Sequence, residues 1–212
     1  DRESIVKNIL GGYGIPIGTP LPQGFFGYEE GFKATPYDPE KAKTLLAEAG
    51  YPNGFEIDMA TPSGRYLMDK EVSEAIVGQL AKVGIKAKLR TEEWGVYAQK
   101  IFSKEQAPLF LVGWGNSTFD ADGNYYSLLK SGERMAYYNS AKLDDLLVRA
   151  RATMDQKARA SLYHEANQHF VDEQPLIVLY QNKDVYATSS RLAWTPRSDE
   201  LIMLHQADVQ VK

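Results

Sequence analysis

Residues 55–91 read FEIDMATPSGRYLMDKEVSEAIVGQLAKVGIKAKLRT, and the spacing of their apolar positions changes twice. FEIDMA (55–60) reads as a strand and TPSGRY as the loop that leaves it. From Asp69 onward, Val72, Ile76, Val77, Leu80 and Val83 recur at helical spacing and form one apolar stripe. IKAKLRT (85–91) then alternates apolar and polar side chains, as a half-buried strand does. The alternation of strand and helix argues α/β architecture.

The flanking sequence extends the pattern. RESIVKNIL places Ile5, Ile9 and Leu10 on one helical face, and Gly11-Gly12 stops that helix. Residues 11–37 are crowded with Gly, Pro and aromatics, which predicts a long ordered loop. Its glycines follow a helix, whereas a dinucleotide-binding loop follows a strand and opens a helix. In YDPEKAKTLLAEAGYPNGF, Asp38 is the predicted N-cap, Pro39 the first helical residue and Gly50 the terminator. EEWGVYAQKIFS is helical, and LFLVG (109–113) is expected as a short strand deep in a sheet. Two helices follow, around 140–153 and 155–173, with Asp155 as a cap between them. Pro175 ends the second, and LIVLYQN (176–182) reads as another buried strand. Residues 191–212 show weaker periodicity.

Composition excludes several classes. The 212 residues include no Cys, so disulfides, thiolate metal sites and cysteine nucleophiles are absent. A net charge of −4 without a basic run lacks the electrostatic footprint of a nucleic-acid binder. No segment approaches the roughly 18 apolar residues of a membrane-spanning helix. The 3 His offer little metal chemistry: His164 and His169 in HEANQH are five apart, roughly 140° around a helix, not the i, i+4 spacing of a zinc helix. Ser63 and Ser117 lack the glycine context of a nucleophile elbow. Asp120 and Asp122 leave a glycosidase as an alternative, with Asp120 as one of its two acids.

Groups that bind rather than react are better represented. Ligands of open α/β sheets sit outside the carboxyl ends of the strands. The FEIDMA strand delivers Arg65 and Tyr66 there, IKAKLRT delivers Trp94, and LFLVG delivers Trp114, Asn116, Ser117 and Asp120. An arginine clamps a carboxylate, and indoles offer stacking surface with one donor each. Gly113 and Gly115 flank Trp114, and the expectation is that they clear an approach to its ring. No cofactor is implied.

Five blocks carry a resemblance: DRESIVKNILGGYGIPIGTPLP, YDPEKAKTLLAEAGYPNGFE, VGQLAKVGIKAKLRTEEWGVY, GWGNSTFDADG and YHEANQHFVDEQPLIVLYQ. In that order they resemble the second half of the extracellular solute-binding proteins of the peptide/nickel ABC-transporter family. The resemblance implies a type II-like lobe of the periplasmic binding proteins, a central mixed β-sheet flanked by helices. It assigns residues 1–190 to a C-terminal ligand-binding lobe and 191–212 to a tail returning toward an N-terminal lobe outside this sequence. It implies a periplasmic or cell-surface setting, a small-molecule or peptide-like ligand, permease subunits as partners, and self-association of a lobe on its own. A chemosensory or interaction role is the other binding alternative. Dipeptide-binding relatives place a carboxylate-receiving Arg at the position of Arg65 and cleft tryptophans at those of Trp94, with Tyr97 behind it, and Trp114. They hold an Asp for the ligand α-ammonium where this chain has Ser117. Asp120 matches the acid of a family turn. A hydroxyl supplies no charge against a desolvated ammonium, which widens the expected ligands to modified peptides, opine-like compounds, sugars and small organic acids.

Overall fold

The computed structural model describes residues 1–209. The chain runs α1 (Arg2–Asn8), β1 (Gly14–Pro16), α2 (Pro39–Glu48), β2 (Glu56–Pro62), α3 (Asp69–Ala81), β3 (Lys86–Glu92), α4 (Trp94–Ser103) and β4 (Leu109–Phe110). Then come α5 (Ala121–Leu129), α6 (Ala141–Ala152), α7 (Gln156–Glu173), β5 (Tyr180–Asn182), β6 (Leu192–Ala193) and β7 (Asp208–Val209). The architecture is α/β, as the alternation predicted. β2 is the centre of a three-stranded sheet of order β3-β2-β4, and both pairings are parallel. Among the described residues, antiparallel pairing is confined to two ribbons, β1 with β5 and β6 with β7.

Local chemistry explains most helix ends. Asp38, Ser140 and Asp155 each accept a backbone N–H at their helix N-terminus. In the α3 stripe, Val72 is fully buried against Ile5, Val6 and Leu10 of the first helical segment. Val77 instead faces Ala87 and Leu89 of β3 across a shallow groove. The largest apolar cluster packs α5, α6 and α7 through Tyr125, Leu129, Leu143, Leu147, Tyr163 and Phe170.

Three expectations need correction. The loop 11–37 contains β1, whose Ile15 pairs with Gln181. LFLVG is not a deep strand: only Leu109 and Phe110 pair with Met59 and Ala60, and the segment is half-buried because β4 is an edge of the sheet. LIVLYQN forms a ladder only over Tyr180–Asn182. Its first half is extended across the surface, with Leu176 and Val178 on the helical cluster and Ile177 70% exposed. Residues 121–129, to which the sequence reading assigned no element, form α5, because Tyr125, Leu128 and Leu129 are buried on one face. The tail folds partly into β6 and β7; its residues 210–212 lie outside the described residues.

Candidate functional site

The loop after β2 is built around a buried acid. Asp69, the first residue of α3, is 3% exposed, and its carboxylate accepts four backbone N–H groups. These come from Gly64 (3.1 Å), Arg65 (2.8 Å), Tyr66 (3.1 Å) and Lys70 (2.9 Å). Satisfying that many amides with one charged acceptor fixes the path of residues 63–68. Met68 takes a left-handed φ of 53° to re-enter the helix.

Arg65 emerges from this loop with its guanidinium carbon 4.9 Å from the Trp94 ring and 5.4 Å from the Tyr66 ring. The two rings meet edge to face at 6.0 Å. An arginine over an aromatic face is oriented yet keeps its in-plane N–H donors available. Among the described residues no carboxylate lies within ion-pair distance of Arg65; the arginines so paired are Arg90, Arg149, Arg151, Arg159 and Arg197. Trp94 opens α4, where the Glu93 carboxylate accepts the Gly95 and Val96 amides. Beneath Trp94 the buried Tyr97 hydroxyl lies 2.6 Å from the Leu111 carbonyl and 3.2 Å from that of Ala60. Burial, chiefly, pushes that hydroxyl well above the ordinary tyrosine range. Tyr97 thereby ties the carboxyl ends of β2 and β4 under the aromatic shelf.

The loop after β4 docks on the same shelf. The Tyr66 hydroxyl donates weakly to the Gly113 carbonyl at 3.4 Å. A Cβ on Gly113 would stand 2.8 Å from the Tyr66 ring. This corrects the expected role of that glycine: it makes room for Tyr66, whereas a Cβ on Gly115 would meet, beyond its chain neighbours, only Glu200 Oε1 at 3.9 Å. Trp114 is 39% exposed, and its Nε1 donates to the Gly123 carbonyl at 3.0 Å. Its one donor is therefore spent, which leaves the ring face for contact.

Asn116 faces inward, contrary to its expected ligand-facing position. Its Nδ2 donates to the Asp120 carbonyl (2.8 Å) and to Asn124 Oδ1 (2.9 Å), while its Oδ1 accepts from the Thr118 amide and hydroxyl. Gly123 is required beside it, since any Cβ there would strike the Asn116 amide. Asn124 continues the network to the Pro20 carbonyl. Ser117, held up by this frame, is exposed.

Asp120 does not join Arg65, Tyr66 and Trp94. It caps α5 by accepting the Asp122 amide and forms a two-pronged pair with Arg159, both contacts at 2.6 Å. Arg159 in turn lies over the Phe26 and Tyr163 rings. Asp122 is matched likewise by Arg151. Both acids on which a hydrolytic reading rests are thus neutralised, and Asp120 is a frame residue. His164 bonds Glu29, whereas His169 meets the Tyr138 and Ser140 hydroxyls. Among the described residues no group of three or more His, Cys, Asp and Glu is placed to hold a metal.

The structure therefore brings together Arg65, Tyr66 and Trp94, with the Trp114 loop seated against Tyr66. Sequence reasoning missed Asp69, which folds back on its own loop, and Asn124 and Arg159, which act far along the chain on the Pro20 carbonyl and on Asp120.

A sequence profile of bacterial extracellular solute-binding proteins, family 5 (middle region), matches residues 1–136. The chain belongs to this family. It is similar to the heme-binding protein A of Haemophilus influenzae, 35% identical over 179 residues that are 78% of this chain and 31% of that protein. It is similar also to the glutathione-binding protein GsiB of Escherichia coli K12, 34% identical over 202 residues, 91% of this chain and 39% of that one. In three dimensions it superposes on the periplasmic binding protein DppA of Helicobacter pylori in complex with the peptide STSA. The TM-score is 0.86 at 26% identity, over 100% of this chain and 42% of DppA. The chain therefore spans less than half the length of these relatives, all of them binding proteins.

Proposed function

We propose that this chain is the C-terminal lobe, residues 1–190 with the tail 191–212, of the substrate-binding component of an ABC importer. In the complete protein, a small peptide-like or other organic solute is captured between this lobe and an N-terminal lobe. The closed form is then presented to the permease in the periplasm. The observation that carries the reading is Arg65: a guanidinium without an ion-pair partner among the described residues, stacked on Trp94 and Tyr66 at the carboxyl end of the sheet. Such a group receives a carboxylate in two parallel hydrogen bonds. The rings supply apolar surface, and Trp114 adds an exposed face beside them. A hydrolase using Asp120 is not favoured, because both carboxylate oxygens are taken by Arg159.

Closure of two lobes on a solute is driven only by contacts that differ between open and closed states. A single lobe holds a fraction of them. Calorimetric titration of alanyl-alanine should therefore show binding by the full-length protein and a loss of at least about 100-fold for residues 1–212 alone. Equal affinity of the two would contradict the two-lobe reading. The same isolated chain, with Trp114 uncovered, should self-associate in sedimentation at high concentration.

A further inference from the structure

The two glycines that flank Trp114 are not equivalent. Neither takes a left-handed φ, so the backbone at both positions accepts an L side chain. Their surroundings differ. A Cβ on Gly113 would stand 2.8 Å from Cε1 and 3.0 Å from Cδ1 of the Tyr66 ring, well inside the roughly 3.5–4.0 Å of a carbon–carbon contact. Beyond its chain neighbours, a Cβ on Gly115 has nothing nearer than Glu200 Oε1 at 3.9 Å.

Tyr66 is held in two separate ways. Asp69 accepts its backbone N–H and so fixes the main chain. The ring is placed by what it packs against. It meets Trp94 edge to face at 6.0 Å, closes on the bare backbone of Gly113, and is tied to the Gly113 carbonyl through its hydroxyl at 3.4 Å. The guanidinium carbon of Arg65 lies 5.4 Å from this ring and 4.9 Å from that of Trp94. Trp94 is anchored at the start of α4 beside the buried Tyr97, whereas Tyr66 sits on a loop. The half of the aromatic shelf that depends on a distant segment is therefore the half that Gly113 backs. A methyl group at position 113 would displace the Tyr66 ring, and with it part of the surface on which the guanidinium lies.

We infer that Gly113 is a positioning residue of the carboxylate site: bare of a side chain, it seats the Tyr66 ring and through that ring orients Arg65. This role rests on the carboxylate reading of Arg65 and extends it to the loop after β4. The test is calorimetry on the full-length protein with alanyl-alanine and with alanyl-alaninamide, in which an amide replaces the carboxylate. In the unaltered protein the carboxylate form should bind about tenfold or more tighter. Gly113→Ala should cut that preference at least about fivefold, and Gly115→Ala should leave it within about twofold, although each adds one methyl beside Trp114. Tyr66→Leu, which removes the ring without filling its place, should lower the preference by itself. Gly113→Ala added to Tyr66→Leu should lower it no further. A preference that Gly113→Ala leaves intact, including an equal loss of affinity for both probes, overturns the role of Gly113 and leaves Arg65 standing. An equal drop in Gly115→Ala, or a preference undiminished in Tyr66→Leu, does the same. Equal affinities of the unaltered protein for the two probes, or binding of neither, overturns the carboxylate reading and this inference with it.

Discussion

Replacement of Asp69 by alanine is expected to lower the unfolding free energy by about 4 kcal/mol, among the largest single-residue effects in the chain. The carboxylate is buried and takes four backbone amides, three of them from the loop that carries Arg65 and Tyr66. Without it those N–H groups lose a charged acceptor. Each unsatisfied buried donor costs about 1–3 kcal/mol, partly relieved here by water reaching the loop. Asp69→Asn should fall between the two, because one oxygen still accepts while the new NH2 faces donors. Urea unfolding checks the order. Equal stability of all three forms would mean the loop is held by something other than Asp69. In the full-length protein, Asp69→Ala should weaken solute binding even though its carboxylate touches no solute, since Arg65 would no longer be presented over Trp94.

The second large effect belongs to Arg159. Its guanidinium meets both oxygens of Asp120, donates to the Ala150 carbonyl, and lies over Phe26 and Tyr163. Arg159→Met keeps much of the apolar bulk but leaves the Asp120 charge half-buried without its partner. A loss of about 3 kcal/mol is expected. The double variant with Asp120→Asn should lose less than the sum of the single losses, because the stranded charge is gone. Additive losses in a urea-unfolding cycle would show that the pair is not coupled. Acid provides an independent readout. Burial alone raises the Asp120 pKa, but the Arg159 hydrogen bonds, the Asp122 amide and the guanidinium charge outweigh it and hold the group below the ordinary aspartate value. A depressed folded-state pKa contributes stability that is present above the unfolded value and lost as pH falls through the folded one. Stability should therefore decline below about pH 4, and this part of the decline should vanish in Asp120→Asn.

Where the local chemistry is self-contained, the structure follows the sequence closely. Asp38 with Pro39, Asp155 after α6, and the 3.6-residue stripe of α3 each specify their element without distant help. So do the positions of Arg65, Tyr66 and Trp94, because loops at the carboxyl ends of parallel strands converge. What was not legible depends on partners far along the chain. α5 begins Ala-Asp-Gly-Asn and carries turn-forming residues; it is helical because Tyr125 and Leu129 sink into a core supplied by α6 and α7. Asp69 is the local exception: its four amide partners are one to five residues away, yet it looks like any acid in a first helical turn. Gly113 reads as clearance for the tryptophan beside it, yet the ring it accommodates is that of Tyr66, 47 residues earlier. Asn116 and Asp120 share a loop with Trp114 and so read as ligand groups, but they are consumed by Asn124 and Arg159. A polar side chain on a cleft loop is as readily spent on holding the loop as on meeting a solute.

The claim on which the rest depends is that Arg65 receives the carboxylate of a captured solute. The direct test is to purify the full-length protein and its Arg65→Ala variant under native conditions, denature each, and identify the released small molecules by mass spectrometry. A carboxylate-bearing solute is expected from the unaltered protein and is absent, or reduced at least about tenfold, from the variant. A solute without a carboxylate, or equal release from both proteins, would contradict the claim.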